Sequence, residues 1–154
     1  MTEGLVRGII DNFREQHKLY STMWDLALKQ KECLKDGKDP DLDRFLRLLQ
    51  QRNQLMAKIS PISQENVRLQ QVVMADLKID HFTLSELQGR IDKDLWEELQ
   101  KVIKELNEVL LAISEADHDN SVVIKDRYGL RYNNSPGNYK RAKEVYQQVM
   151  NKKI

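Results

Sequence analysis

Between Val6 and Leu34 the apolar side chains advance in alternating steps of three and four: Val6, Ile9, Phe13, Tyr20, Met23, Ala27 and Leu34. Leu5, Leu19, Leu26, Ile10 and Trp24 flank that seam on both sides. This is helical periodicity, with a face wide enough to bury against more than one neighbour. Such a helix runs for about 30 residues, on the order of 45 Å at 1.5 Å per residue. The slots at Gln16 and Gln30 are polar, so the packing they imply is imperfect. The helix should stop at "KDGKDP", where Gly37 suits a left-handed C-terminal cap.

The same spacing recurs twice. Asp39 and Pro40 predict an N-cap and a first helical residue. Leu42, Phe45, Leu46, Leu49, Met56 and Ile59 follow at helical intervals. Pro61 predicts a boundary or kink, because it disfavours helical geometry at Ser60. Ile62, Leu69, Val72, Val73 and Leu77 then resume the pattern, either as a new helix or as the second one continued after a bend. "TLSEL" reads as a capping box between Thr83 and Glu86, opening a short helix that Gly89 weakens. The last long helix carries Leu95, Leu99, Val102, Leu106, Val109, Ile113 and Ala116, with Trp96, Ile103 and Leu110 beside them. It should continue through Val122 and Val123 towards Tyr128, with Gly129 as terminator. After the loop "NNSPGN", Ser135 and Pro136 offer a start for a final helix.

Six Gly and three Pro in 154 residues suit long helices better than a sheet. The expected fold is therefore all-α: an elongated antiparallel helical hairpin or bundle with coiled-coil-like packing and a separable C-terminal helix. No apolar run approaches the roughly 18 residues that cross a bilayer, and the N-terminus lacks a signal peptide's uninterrupted apolar core. A single cysteine, Cys33, cannot form an internal disulfide, which points to a reducing cytoplasm. The net charge of +1 conceals an asymmetry. Residues 1–124 hold 17 Lys/Arg against 22 Asp/Glu, whereas residues 125–154 hold 8 against 2. Four of the five tyrosines (Tyr128, Tyr132, Tyr139 and Tyr146) lie in that last part. The expected organisation is an acidic helical body, 1–124, and a basic, Tyr-rich segment, 125–154.

Chemistry for making or breaking bonds is missing. "SEADHDN" places Glu115 and His118 three apart, the spacing that di-iron bundles use, but such a site needs that motif twice and two further acids. His17 follows Arg14 and His81 follows Lys78 at that spacing, so neither supplies the second motif. The stretch reads instead as a polar part of the last long helix, either facing water or forming a hydrogen-bonded layer inside the bundle. Cys33 reads as packing rather than as a nucleophile. No Gly-rich phosphate loop, nucleophile elbow or zinc spacing is present. The expectation is a non-enzyme with no cofactor, no metal and no catalytic residue.

The basic segment interleaves cations with aromatic rings, as single-strand nucleic-acid binders do, but the acidic body would repel a polyanion. Tyr139, Ala142, Tyr146 and Val149 fall on one helical face, and Lys140, Arg141 and Lys143 fall largely elsewhere. That is an amphipathic helix seeking a protein surface, its own or a partner's. Neither nucleic-acid binding nor membrane insertion is expected.

"LALKQKECLKDGKDPDLDRFLRLLQQRNQLMAKI" resembles the first half of FlgN-like flagellar export chaperones through Leu28, Lys31, Leu34, Gly37, Leu42, Leu46 and Arg52. "TLSEL" is a phrase that family often uses before its last long helix. "LWEELQKVIKELNEVLLAISEADHDNSVVI" is similar to that helix, with Asn120 in the place of a late asparagine. The similarity covers about residues 5–124, and the sequence departs from the pattern at its "YG" and "NNSPGN" breaks. The resemblance implies a non-enzymatic cytoplasmic chaperone that holds the terminal helix of hook-filament junction proteins before export through the flagellar type III apparatus. It implies that the gripping segment is C-terminal, which on this chain means Val122, Val123, Tyr139, Ala142, Val145, Tyr146 and Val149. Export-apparatus components would be further partners, and a homodimer stays open. The competing readings are a helical scaffold or adaptor that self-associates through the Val6–Leu34 seam, and a nucleic-acid binder using the basic segment.

Overall fold

The computed structural model describes residues 1–34 and 41–128, which form four helices and, among the described residues, no strand. They are α1 (Thr2–Leu34), α2 (Leu42–Leu77), α3 (Leu84–Leu87) and α4 (Lys93–Tyr128). The expected all-helical class is what the chain adopts, with α1 packed against both α2 and α4. Among the described residues no helix is long and apolar enough to cross a membrane. Contacts divide the described residues into two units, one of residues 1–19 with 58–108, the other of residues 20–34 and 41–57 with 109–128.

In the first unit, Val6, Ile9 and Ile10 of α1 are wholly buried against Leu69 and Val73 of α2 and Leu95, Leu99 and Val102 of α4. Polar contacts fix the direction. Thr2 donates to Asp76, Asn12 Nδ2 to Asn66 Oδ1 at 3.0 Å, and Gln16 Nε2 to the Ser63 hydroxyl. Residue numbers rise on α1 as they fall on α2, so the pair is antiparallel. In the second unit Leu26, Cys33 and Leu34 of α1 meet Leu42, Phe45, Leu48 and Leu49 of α2 and Ile124 of α4. Arg14 and Glu98, 3.4 Å apart on the surface of the first unit, add little to stability.

Helix ends follow local chemistry. The Asp41 amide donates to Cys33 O at the end of α1, while its own carboxylate accepts from the Arg44 amide at 3.1 Å to cap α2. The cap of α2 is thus Asp41; the expected cap Asp39, Pro40 and the terminator Gly37 lie outside the described residues. Pro61 sits inside α2, which runs unbroken for 36 residues. Pro61 and the residue one turn earlier, Ala57, are both exposed, so the carbonyl that loses its amide partner faces water rather than the core. The Thr83 hydroxyl accepts from the Glu86 amide, as the capping box requires, and Asp92 does the same for Leu95 at the start of α4. The Trp96 indole donates to Leu84 O at 2.8 Å, joining α3 to α4.

Two residues adopt left-handed backbone, Lys78 (φ 55°) and Gly89 (φ 79°). Lys78 ends α2: the next amide, Ile79, reaches back to Met74 O, and the Ile79 side chain is buried. A Cβ in this region costs about 1–2 kcal/mol. Lys78→Gly is therefore expected to raise stability by about 1 kcal/mol, and Gly89→Ala to lower it by a similar amount. Urea denaturation of the two variants checks both signs.

Candidate functional site

The polar run Ser114–Val123 lies wholly within α4, where the helix sorts it into two sets. Asp117 and Asn120 turn inward with Ile113, Ala116 and Ile124, whereas Ser114, Glu115, His118, Asp119 and Val122 are exposed. Both expectations for this stretch are met, on opposite sides of one helix.

The inward side forms a buried polar layer across three helices. Arg52 of α2 grips Asp117 through two parallel bonds, Nη1 to Oδ1 at 2.6 Å and Nη2 to Oδ2 at 2.7 Å. Such a fork is the strongest geometry an Arg–carboxylate pair can take. Nη1 of Arg52 also donates to Gln30 Oε1 of α1 at 2.8 Å, and Gln30 Nε2 lies 3.5 Å from Phe45 O. Gln30, one of the two polar slots in the α1 seam, is therefore not a packing defect. It is 1% exposed and joins α1 to the ion pair. Gln16, the other slot, is also buried and bonded to Ser63. One turn further along α4, Asn120 Nδ2 lies 3.5 Å from Ala27 O, and its Oδ1 has no hydrogen-bond partner among the described residues.

On the outward side Asp119 meets Lys31 at 3.1 Å. Glu115 and His118 are exposed on the face away from Asp117, whose carboxylate is taken up by Arg52. Among the described residues no three His, Cys, Asp or Glu side chains come together as metal ligands would.

Cys33 is buried in the α1–α2 core, as the packing reading expected. Burial pushes its thiol above the usual range, with Arg44 partly offsetting this and Asp41 and Glu32 adding to it. Burial also raises the Tyr20 hydroxyl. The folded chain thus keeps protons that the unfolded chain releases. The sign follows: stability is full below the ordinary thiol value of about 8.5, falls as pH rises past it, and falls further past the ordinary phenol value of about 10. Denaturation midpoints between pH 8 and pH 10.5 are expected to decline, with Cys33→Ala removing the first part of the slope.

The residues expected to grip a partner stand as follows. Val122 is 41% exposed on the outer face of α4. Val123 is half-buried and packs on the core that includes Phe45 and Ile124. Tyr139, Ala142, Val145, Tyr146 and Val149 lie outside the described residues. Trp24, expected beside the buried seam, is 38% exposed, and Val72, expected on the apolar face of α2, is 42% exposed. What sequence reasoning missed was that Gln30 and Arg52 are the partners of Asp117 in the polar layer. Its signal was a polar residue in an apolar seam on α1, with an arginine and an aspartate at inward positions of two other helices.

Among known protein families, the one described as FlgN protein matches residues 1–135. No curated protein and no solved structure matches the chain.

Proposed function

The chain belongs to the FlgN family, and on that premise we propose that it grips the terminal helix of its client with Val122, Val123, Tyr139, Ala142, Val145, Tyr146 and Val149. FlgN proteins are non-enzymatic, cytoplasmic flagellar export chaperones, and their clients are hook-filament junction proteins. The family match across 1–135 is the observation that carries the chaperone reading, and the choice of gripping residues rests on the amphipathic pattern of 139–149 in the sequence. The physics of the chain agrees with it. A client helix that will be buried after assembly exposes an apolar stripe beforehand, and an amphipathic segment can cover that stripe helix against helix. The end of α4 offers Val122 to such a helix from a well-held base, since Asp117, Asn120 and Ile124 anchor the turns around it.

In this reading the chaperone delivers its client to the flagellar type III apparatus, and components of that apparatus are its further partners. The rival reading, a scaffold that self-associates through the Val6–Leu34 seam, finds little support in that seam's burial. Val6, Ile9, Met23, Ala27 and Leu34 are at most 1% exposed, and Phe13 and Tyr20 are half-buried, so most of that seam is already taken up within the chain. The test is a pull-down of candidate junction proteins with the full-length chain. A stable complex with at least one is expected, and its loss is expected when the terminal helix of that client is removed. Failure to retain any of them would contradict the reading.

A further inference from the structure

On the outer side of α4, Leu111, Glu115, His118 and Val122 are all exposed. Their spacing of four, three and four places them on one helix face, opposite the buried Ile113, Ala116, Asn120 and Ile124. It is also the spacing of the seam positions in a coiled coil. Leu111 is 60% exposed and Val122 41%, two of the few large apolar side chains the described residues leave in water. Along the stripe the order is apolar, acidic, basic, apolar. Turned end for end, this stripe is its own complement. When two copies of α4 lie antiparallel and cross between residues 116 and 117, Leu111 of one stands level with Val122 of the other. The same register sets Glu115 level with His118, carboxylate against imidazole. One turn further out it sets Glu108 level with Lys125, both exposed and opposite in charge.

We propose that the chain pairs with a second copy of itself, α4 against α4 and antiparallel, through Leu111, Glu115, His118 and Val122. Charge and symmetry together select this occupant. A two-fold interface must be self-complementary, so that if one residue meets another, the reverse contact exists as well. Every position of the stripe satisfies that condition: apolar meets apolar at both ends, and opposite groups meet between them. The antiparallel layers of a coiled coil pair these same alternate seam positions. A parallel pair would instead set Glu115 against Glu115 and His118 against His118, like against like. The seam is short, since Leu111 and Val122 are 11 residues apart, about 16 Å along a helix. The pair is therefore weak and reversible, as small interfaces are. Val122 is also one of the residues assigned to client capture, so a client and a second copy exclude each other there. That consequence, unlike the pairing itself, rests on the function proposed above. Pairing keeps the exposed apolar side chains out of water until a client displaces the second copy.

The experiment is sedimentation equilibrium of the full-length protein without client, from about 1 µM to 1 mM. Wild type is expected to pass from the mass of one chain towards that of two as concentration rises. His118→Glu sets carboxylate against carboxylate and should raise the dissociation constant at least tenfold. Adding Glu115→Lys to it reverses both charges and restores opposite pairs in the antiparallel register. The double variant should therefore return to within about threefold of wild type. Both positions are exposed on α4, so the helices should remain folded, and circular dichroism of the variants checks this. A wild type that stays a single chain at every concentration would overturn the proposal. So would pairing that His118→Glu leaves unchanged, which means another surface is used. A double variant no tighter than His118→Glu would overturn it too, since it excludes the antiparallel register. Sedimentation needs no client. Its failure therefore leaves the chaperone reading standing, and a failed pull-down leaves the pairing standing.

Discussion

Asp117→Ala is expected to lower the unfolding free energy by about 3–5 kcal/mol, because it leaves the Arg52 guanidinium buried without its counter-charge. The Arg52 and Asp117 side chains are only 9% and 4% exposed, so water cannot take over the role of the missing carboxylate. Gln30 can still accept one bond from Arg52, but a neutral oxygen does not compensate a full charge. Against a total stability of about 5–15 kcal/mol for a domain, the loss is large enough to leave the variant partly unfolded at 37 °C. Replacing both partners with apolar residues of similar volume, Arg52→Met with Asp117→Leu, is expected to be neutral or stabilising by about 1–4 kcal/mol. The pair therefore fixes which turn of α4 faces α2 more than it adds net stability. Urea titrations of the single and double variants decide this. A single variant within about 1 kcal/mol of wild type would mean that the layer is not sealed from water.

Phe45→Ala carries the second large effect, a loss of about 3–5 kcal/mol. Phe45 is 1% exposed and packs with Leu26, Cys33, Leu34, Leu42, Leu48, Leu49 and Ile124. Removing the ring deletes buried apolar area and leaves a cavity that three helices cannot close together. Phe45→Leu keeps most of the volume and is expected to cost far less. Leu111→Ala, at a position 60% exposed, is expected to stay within about 0.5 kcal/mol of wild type. Thermal unfolding of the three variants should therefore rank them widely apart. A Phe45→Ala midpoint close to that of Leu111→Ala would place the stabilising contacts elsewhere.

The long helices were legible because apolar residues at steps of three and four have few other uses. Val6 to Leu34, Leu42 to Leu49 and Leu95 to Ala116 supplied the buried faces of the predicted helices, and the last helix continues through Val122 and Val123 to Tyr128, the last described residue. Pro61 misled only in part. Its geometry argues for a break, but it sits on an exposed face of α2, where a lost backbone bond is satisfied by water. The breadth of the α1 face was overestimated at Trp24. A large ring at a flanking position looks the same whether a neighbouring helix covers it or not.

The polar layer was the least legible part. Gln30 in an apolar seam reads as an imperfection until Arg52, 22 residues on, and Asp117, 65 beyond that, are brought to it by the fold. Sequence periodicity reports which residues share a face, and it carries no record of which faces meet. The run "EADHDN" posed the same difficulty. Its spacing could not say that Asp117 and Asn120 would be interior while Glu115 and His118 would remain outside. The proposed partner site rests on an amphipathic pattern in residues 139–149, which lie outside the described residues. Of the residues assigned to it, the described ones are Val122, which is exposed, and Val123, which is half-buried.

The account depends most on helix-against-helix capture by the C-terminal segment. Its most direct measurement is a calorimetric titration of the full-length chain with a peptide of a junction protein's terminal helix, repeated with Tyr139→Ala/Tyr146→Ala. A one-to-one complex is predicted. Loss of two interfacial tyrosines at about 2 kcal/mol each should weaken it by more than 100-fold. No heat of binding to any junction-protein helix, or an affinity unchanged by the double substitution, would contradict it.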